Sequence, residues 1–233
     1  MISYQYTYLI GSLIALTIWT FFFIHRKDTR REMLTLSIIF GITGILAEYL
    51  YTIDWWKPLT ITGTRIGIED FLFGFSCGGV FGVAYEYFFK KKIKIKRQKN
   101  ENKRILAFFF SIFIAILTFL SIFVLFDLNS FVLTILIFST GIAIMLIKRH
   151  DLVKDSIYSG IIALVISIIV YQIVWYLTPG FFNKFWLYEN IGKITFLRIP
   201  LDEIIWFFLA GAFIGPFWEY WKKGKIINFK RKK

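Results

Sequence analysis

The chain is poor in the residues that staple, ligate or punctuate a soluble fold. Of its 233 residues one is cysteine, two are histidine and four are proline. A lone thiol, Cys77, can form no intrachain disulfide and excludes a zinc site built on thiolates. It lies inside an apolar run and reads as a small packing residue. His25 and His150 fall in short basic segments, where a solvated imidazole is the ordinary expectation, so no metal centre is expected. No Gly-rich dinucleotide or phosphate-loop fingerprint occurs, so flavin, nicotinamide and nucleoside triphosphates lack a recognisable site and no cofactor is expected. Acidic residues are also scarce, 15 against 28 Lys and Arg, for a formal charge of +13. That excess is not gathered in a basic domain standing apart, which argues against a nucleic-acid partner.

What the chain has in abundance is apolar and aromatic surface. Hydrophobic residues make up 57% of it, aromatic residues 21%, and the mean hydropathy is +0.63. A spanning helix needs about 20 apolar residues. Seven stretches come close: 4–24, 33–50, 68–88, 105–126, 128–147, 156–177 and 201–221. The N-terminal stretch lacks the positive charge that opens a signal peptide and is long enough to span, so it is expected to be retained as the first helix. The segments 25–32, 90–104, 148–155 and 222–233 together hold 23 of the 28 basic residues. Lys57, Arg65, Lys184, Lys193 and Arg198 fall in the two long opposite loops. The positive-inside rule then predicts a multi-pass protein of the cell membrane, with its N-terminus outside and its C-terminus in the cytoplasm. The lipid bilayer is its immediate partner, and the basic segments suit anionic headgroups.

The third and seventh stretches repeat one another. Arg65 and Arg198 stand 133 positions apart, and the same spacing pairs Glu69 with Asp202 and Asp70 with Glu203. It also pairs Gly78 with Gly211, Gly82 with Gly215, Glu86 with Glu219 and Tyr87 with Tyr220. Arg26 and Asp28 correspond to Arg149 and Asp151. The predicted fold is therefore an all-α transmembrane bundle of seven helices, in a 3+1+3 order. Residues 1–104 form one three-helix repeat, 105–127 a linker helix and 128–233 the second repeat. An odd linker lets both repeats keep one orientation, about a pseudo-two-fold axis along the membrane normal. Gly74, Gly78 and Gly82, with Gly211 and Gly215, permit close helix approach, so the third and seventh helices are expected to be central.

Ionisable residues in or beside spanning helices are costly and mark candidate sites. Glu69-Asp70 and Asp202-Glu203 each open a helix at its outer end. Carboxylates in a first turn are ordinary helix-start chemistry, and Pro200 fits that reading. Recurrence in both repeats, each time after an arginine, favours a functional role. Glu48, near the outer end of the second helix, falls on the same side, and Trp175 is expected at its place in the second repeat. Glu86 and Glu219 lie at the inner ends, about 25 Å from the outer acids at 1.5 Å per residue. Each has a lysine four residues on, Lys90 and Lys223, and both are read as structural. Aromatic residues including Trp55, Trp56, Phe73, Trp175 and Trp206 crowd the outer acids. Belts at the membrane interface explain most of them, yet ring faces also stabilise cations.

These residues carry a resemblance to a known family. Ala47-Glu48-Tyr49-Leu50, Trp55-Trp56, Arg65-Ile66-Gly67-Ile68-Glu69-Asp70-Phe71-Leu72-Phe73 and Tyr85-Glu86 together resemble one lycopene cyclase domain. Ile199-Pro200-Leu201-Asp202-Glu203-Ile204-Ile205-Trp206-Phe207-Phe208, ending at Trp218-Glu219, resembles a second. The whole is similar to the fused form of the heterodimeric-type carotenoid cyclases. It departs from the family in Gly67, where Pro is usual, and in Asp70, where Glu is common. The resemblance implies an isomerase that forms ionone-type rings without net redox. A carboxylic acid protonates the terminal double bond of a linear carotenoid or similar long isoprenoid. The neighbouring alkene closes a six-membered ring on the cation, and a base removes a proton. It implies Glu69, Asp70, Asp202 and Glu203 as the acid–base set, with Glu48 as a partner. Phe73, Trp206, Trp55 and Trp175 would line the substrate site, with Arg65 and Arg198 beside it. Two other readings stand beside this one. A carrier of small solutes of the SWEET type shares the 3+1+3 plan, but it needs midplane polar groups, where this chain has only isolated hydroxyls such as Ser76 and Ser167. A non-catalytic carotenoid-binding protein shares the apolar surface. The absence of an interior lysine in the last span argues against a retinal Schiff base. The sequence leaves homo-oligomerisation open.

Overall fold

The computed structural model describes residues 2–95, 114, 117, 118, 121 and 123–228. Of the expected linker span, 105–126, only 114, 117, 118, 121 and 123–126 are among the described residues. The chain begins with a helical turn at Tyr4–Tyr6, where the Ser3 hydroxyl accepts the Gln5 N–H, and continues into α1, Thr7–His25. There follow α2 (Arg30–Asp54), α3 (Ile68–Gly82), the short α4 (Ala84–Phe88) and β1 (Lys91–Lys94). The second half holds α5 (Ser130–Lys148), α6 (Val153–Leu177), the short α7 (Phe181–Phe185), β2 (Thr195–Phe196) and β3 (Ile199–Pro200). It ends with α8 (Leu201–Ile214), α9 (Phe217–Lys222) and β4 (Lys225–Asn228). Among the described residues, five stretches are long and apolar enough to cross a membrane: Tyr4–His25, Arg30–Asp54, Ser130–Lys148, His150–Leu177 and Leu201–Lys222.

Two expectations need correction. Residues 68–88 were expected as one helix, but the helix breaks at Val83 (φ −123°, ψ 8°) and restarts as α4. The second copy breaks at the same place, between α8 and α9, where Pro216 supplies no N–H to continue the ladder. The all-α expectation holds for the bulk, yet two antiparallel ribbons are present: β1 with β4, and β2 with β3.

The ribbons and loops reveal the symmetry of the repeat. Ile93 pairs with Ile226, its own counterpart 133 positions on, and Lys92–Ile227 and Lys94–Lys225 flank it. At the opposite end Trp56 bridges Trp186. There the Lys57 N–H donates to the Phe185 carbonyl (2.8 Å) and the Leu187 N–H to the Trp55 carbonyl (2.9 Å). A residue can meet its own copy only on a two-fold axis. The Ile93–Ile226 pairing thus places a pseudo-two-fold axis through that end of the bundle. The short loops obey it too. Arg26 pairs with Asp28 (2.9 Å) and reaches the Glu86 carbonyl, while Arg149 pairs with Asp151 (2.6 Å) and reaches the Glu219 carbonyl. Burial opposes ionisation of Asp28, but the Arg26 hydrogen bond and charge outweigh it and hold that carboxyl below its usual range.

The glycines act within each repeat. α3 packs on α1 and α2, and α8 packs on α5 and α6. A Cβ on Gly78 would stand 2.7 Å from the Leu36 carbonyl oxygen of α2. A Cβ on Gly211 would stand 2.7 Å from the Ser159 carbonyl oxygen of α6 and 2.4 Å from the Ala163 Cβ. Small residues let the backbones approach this far. α3 and α8 are central, as expected, but they meet each other through rings, Phe73 against Trp206 and Phe81 against Phe207, rather than through the glycine faces.

Because backbone rather than a flexible side chain blocks the space, Gly211→Val is expected to destabilise the bundle by about 1–3 kcal/mol. Thermal unfolding of the purified protein in detergent measures this, and an unchanged transition would contradict the close packing of α8 on α6.

Candidate active site

Each outer acidic pair divides its labour. In α3 the first acid, Glu69, turns back on the preceding loop, where its Oε1 accepts the Ile61 N–H at 2.6 Å. A Cβ on residue 67 would lie 2.1 Å from Glu69 Oε2, so this position takes glycine where a long acid folds back. The second copy makes the opposite choice, with Pro200 at that position and the shorter Asp202 as its first acid. Asp202 Oδ1 accepts the Glu203 N–H (3.0 Å), and Oδ2 accepts Asn190 Nδ2 (3.4 Å). Glu69 and Asp202 therefore fasten loops to helix starts.

The second acid of each pair faces the interior. Asp70 is buried; its Oδ2 accepts the Gly67 N–H at 2.7 Å, and its Oδ1 has no donor. Asp70 lies within electrostatic range of the Glu48 carboxyl and the Tyr8 hydroxyl. Glu48 is buried, and its Oε2 accepts from Trp56 Nε1 at 3.2 Å. In the second copy Glu203 accepts the hydroxyl of Tyr171 at 2.8 Å, with both groups buried. Glu48 lies within electrostatic range of both Asp70 and Glu203, so acids of the two repeats share one interior region.

Tyr171, rather than Trp175, occupies the Glu48 position of the second repeat. The short-loop arginines are 123 positions apart, which carries Glu48 to Tyr171. The spacing grows to 133 only after the longer loop that holds α7. Trp175 instead corresponds to Thr52, and each meets an arginine. Arg65 Nε donates to the Thr52 hydroxyl, and the Arg198 guanidinium lies 3.9 Å over the Trp175 ring. Both arginines are exposed at the rim and brace loop against helix; the structure does not bring them to the interior acids. Trp55 is buried against Phe131 and Tyr51, and its neighbour Trp56 is the one that reaches Glu48.

Beside Tyr171 and Phe207 opens an apolar recess of about 350 Å³, mouth included. It is walled by α1 (Ala15, Ile18), α3 (Phe73, Cys77, Phe81) and α6 (Ile166, Val170), with the hydroxyls of Ser76 and Ser167 among its few polar groups. Phe73 reaches on to Trp206, whose Nε1 donates to the Tyr51 hydroxyl at 3.2 Å, and to Tyr8. Tyr8 and Tyr171 went unrecognised in the sequence, because a tyrosine in an aromatic-rich span looks like packing.

Fold and site define a class: a duplicated bundle with membrane-length apolar helices, an interior that pools carboxyl groups from both copies, and an aromatic-walled apolar recess beside them. The family model described as lycopene cyclase matches residues 3–88 and 129–221, most of the chain and nearly all of both repeats. The chain belongs to the lycopene cyclase family, which supports carotenoid cyclisation as its general function. No curated protein and no solved structure gives a match.

Tyr171→Phe deprives the buried Glu203 carboxyl of its donor and is expected to cost about 1–3 kcal/mol of stability. Denaturation of the purified variant against the unmodified chain measures this; equal stabilities would remove Tyr171 from the site.

Proposed function

We propose that the chain is a membrane-embedded carotenoid cyclase that closes ionone-type end rings by acid-initiated carbocation chemistry, an isomerisation without net redox. What supports this reading is that the buried Glu48 and Asp70 of one repeat lie within electrostatic range of the buried Glu203 of the other, near an apolar, ring-lined recess. A long isoprenoid end group has no polar handle, so its site must be greasy, and its activation needs a proton delivered where water is scarce. The Glu48–Asp70 pair holds one proton between two carboxyl groups and serves as the store. Glu203, steadied by the Tyr171 hydroxyl, stands nearest the recess and works with that pair in protonating the terminal alkene. The second alkene then attacks the tertiary cation, the ring closes, and a carboxylate of the same group takes a proton from a carbon next to the new cationic centre. The proton gained and the proton lost balance. The faces of Phe73, Phe207 and Trp206 stabilise the passing cation without trapping it. Glu69 and Asp202 act as positioning residues that hold the helix starts.

The same reading extends to the membrane. Two parallel three-helix repeats joined by a linker helix, seven spans in all, place the N-terminus outside and the basic C-terminus in the cytoplasm. The acids then sit toward the outer leaflet. A substrate dissolved in the bilayer enters from the side, between α1 and α6, whose residues form part of the recess wall.

Expression in cells that accumulate lycopene tests the function: ring-bearing pigments are expected in the extract. Asp70→Asn and Glu203→Gln are each expected to lower product at least ~100-fold, with undiminished protein in the membrane fraction. Unaltered product from both variants would sink the assignment, and bound but unchanged pigment would point to a binding protein.

A further inference from the structure

The other end of the bundle buries a second group of carboxyls that the cyclisation does not use. Glu32 lies in the first turn of α2 and Asp155 in the first turn of α6, 123 positions apart, so they are copies of one another. Glu86 of α4 and Glu219 of α9 are copies at the spacing of 133. All four are buried; Glu86, Asp155 and Glu219 have no exposed surface at all. The expected ion pairs with Lys90 and Lys223 are replaced by a different arrangement. Both lysines take left-handed backbone (φ 51° and 49°) just past the helix ends. The glutamates instead turn inward, and among the described residues both oxygens of Glu86 and both of Glu219 lack a hydrogen-bond donor, as do one oxygen of Glu32 and one of Asp155. The Ser159 hydroxyl donates to the other Asp155 oxygen at 3.0 Å. Arg26, already paired with Asp28, lends a favourable field to Glu32 and Glu86, and Arg149, paired with Asp151, lends one to Glu219.

Burying donorless carboxylates costs several kcal/mol per charge unless something positive joins them. One oxygen from each of Glu86, Asp155 and Glu219 can be chosen so that all lie within 4.8 Å of one another. Oxygens on opposite sides of a Ca²⁺ stand about 4.6–5.2 Å apart, and those around Mg²⁺ closer, so this is the spacing of ligands around one ion. With oxygen donors only, and neither imidazole nor thiolate, the set suits a hard cation. We propose that Glu86, Asp155 and Glu219, with Glu32 beside them, hold one divalent cation of the Mg²⁺, Mn²⁺ or Ca²⁺ type on the pseudo-two-fold axis, tying the two repeats together at the end opposite the candidate active site. The break after α3 and the matching break after α8 turn the glutamates onto that axis.

The full-length chain, purified in detergent and stripped with EDTA, is titrated with Mn²⁺ as the probe. Free Mn²⁺ is read by electron paramagnetic resonance and bound metal by elemental analysis. One Mn²⁺ per chain is expected, displaced by excess Mg²⁺ or Ca²⁺ and raising the unfolding temperature. Asp155→Asn, which keeps the side-chain shape, and Glu219→Gln should each weaken binding at least ~10-fold. Lack of stoichiometric Mn²⁺ on the unmodified chain overturns the proposal and leaves protons shared among the four carboxyls. Binding unaltered by both variants overturns it as well, since the metal then sits elsewhere. If neither variant folds, the competition and the shift in unfolding temperature on the unmodified chain decide the matter. Pigment formation is not part of the readout, so the result stands apart from the cyclase assignment.

Discussion

The molecule is organised by the cost of placing carboxyl groups among hydrocarbon. A carboxylate in such surroundings needs a donor, a counter-charge or a proton, and most of this chain's interior acids, though not Glu48, recur in both repeats. The two-fold relation between the repeats decides where each acid finds relief. The first acids of the outer pairs find backbone and amide donors in the loops. The second acids turn inward and find another carboxyl or a tyrosine. At the opposite end the copies Glu86 and Glu219 are brought onto the axis itself, where their oxygens find no donor among the described residues.

Duplication followed by divergence accounts for the asymmetry of the outer site. One copy offers a carboxyl pair, Glu48 with Asp70, and the other a carboxyl with a phenol, Glu203 with Tyr171. A strictly symmetric site would hold two identical half-sites, each with the same affinity for a proton. The divergent pair gives the interior one place where two carboxyls lie within electrostatic range of each other and one where a single acid is oriented by a hydroxyl. Gly67 with Glu69 and Pro200 with Asp202 show the same divergence in the supporting loops: where the backbone position is small the acid is long, and where it is proline the acid is short.

Much of this was legible in the residue pattern. Long apolar runs, the 133-residue repeat and the acidic pairs pointed to a duplicated helical bundle with its chemistry at the helix starts. The family match agrees with that reading. The pairing partners were not legible. The spacing between copies changes from 123 to 133 within the chain, because the loop carrying α7 is longer in the second half. A register taken from the third helix therefore could not identify Tyr171 as the partner of Glu203, and Trp175 stood in its place. Lys90 and Lys223, at a helical spacing from Glu86 and Glu219, suggested ion pairs on a continuing helix. The helices break before them, and the lysines end each helix instead.

Composition and periodicity by themselves determined that this chain forms apolar helices in two related sets, since hydrophobic runs and duplicated polar positions are properties of the linear order. Which acid faces its own loop, which meets the other repeat, and which is left without a donor on the axis was decided only by the tertiary structure. Those outcomes depend on where a helix stops and which backbone lies within a few ångströms of it, and distances between residues more than a hundred positions apart are not written in either segment alone.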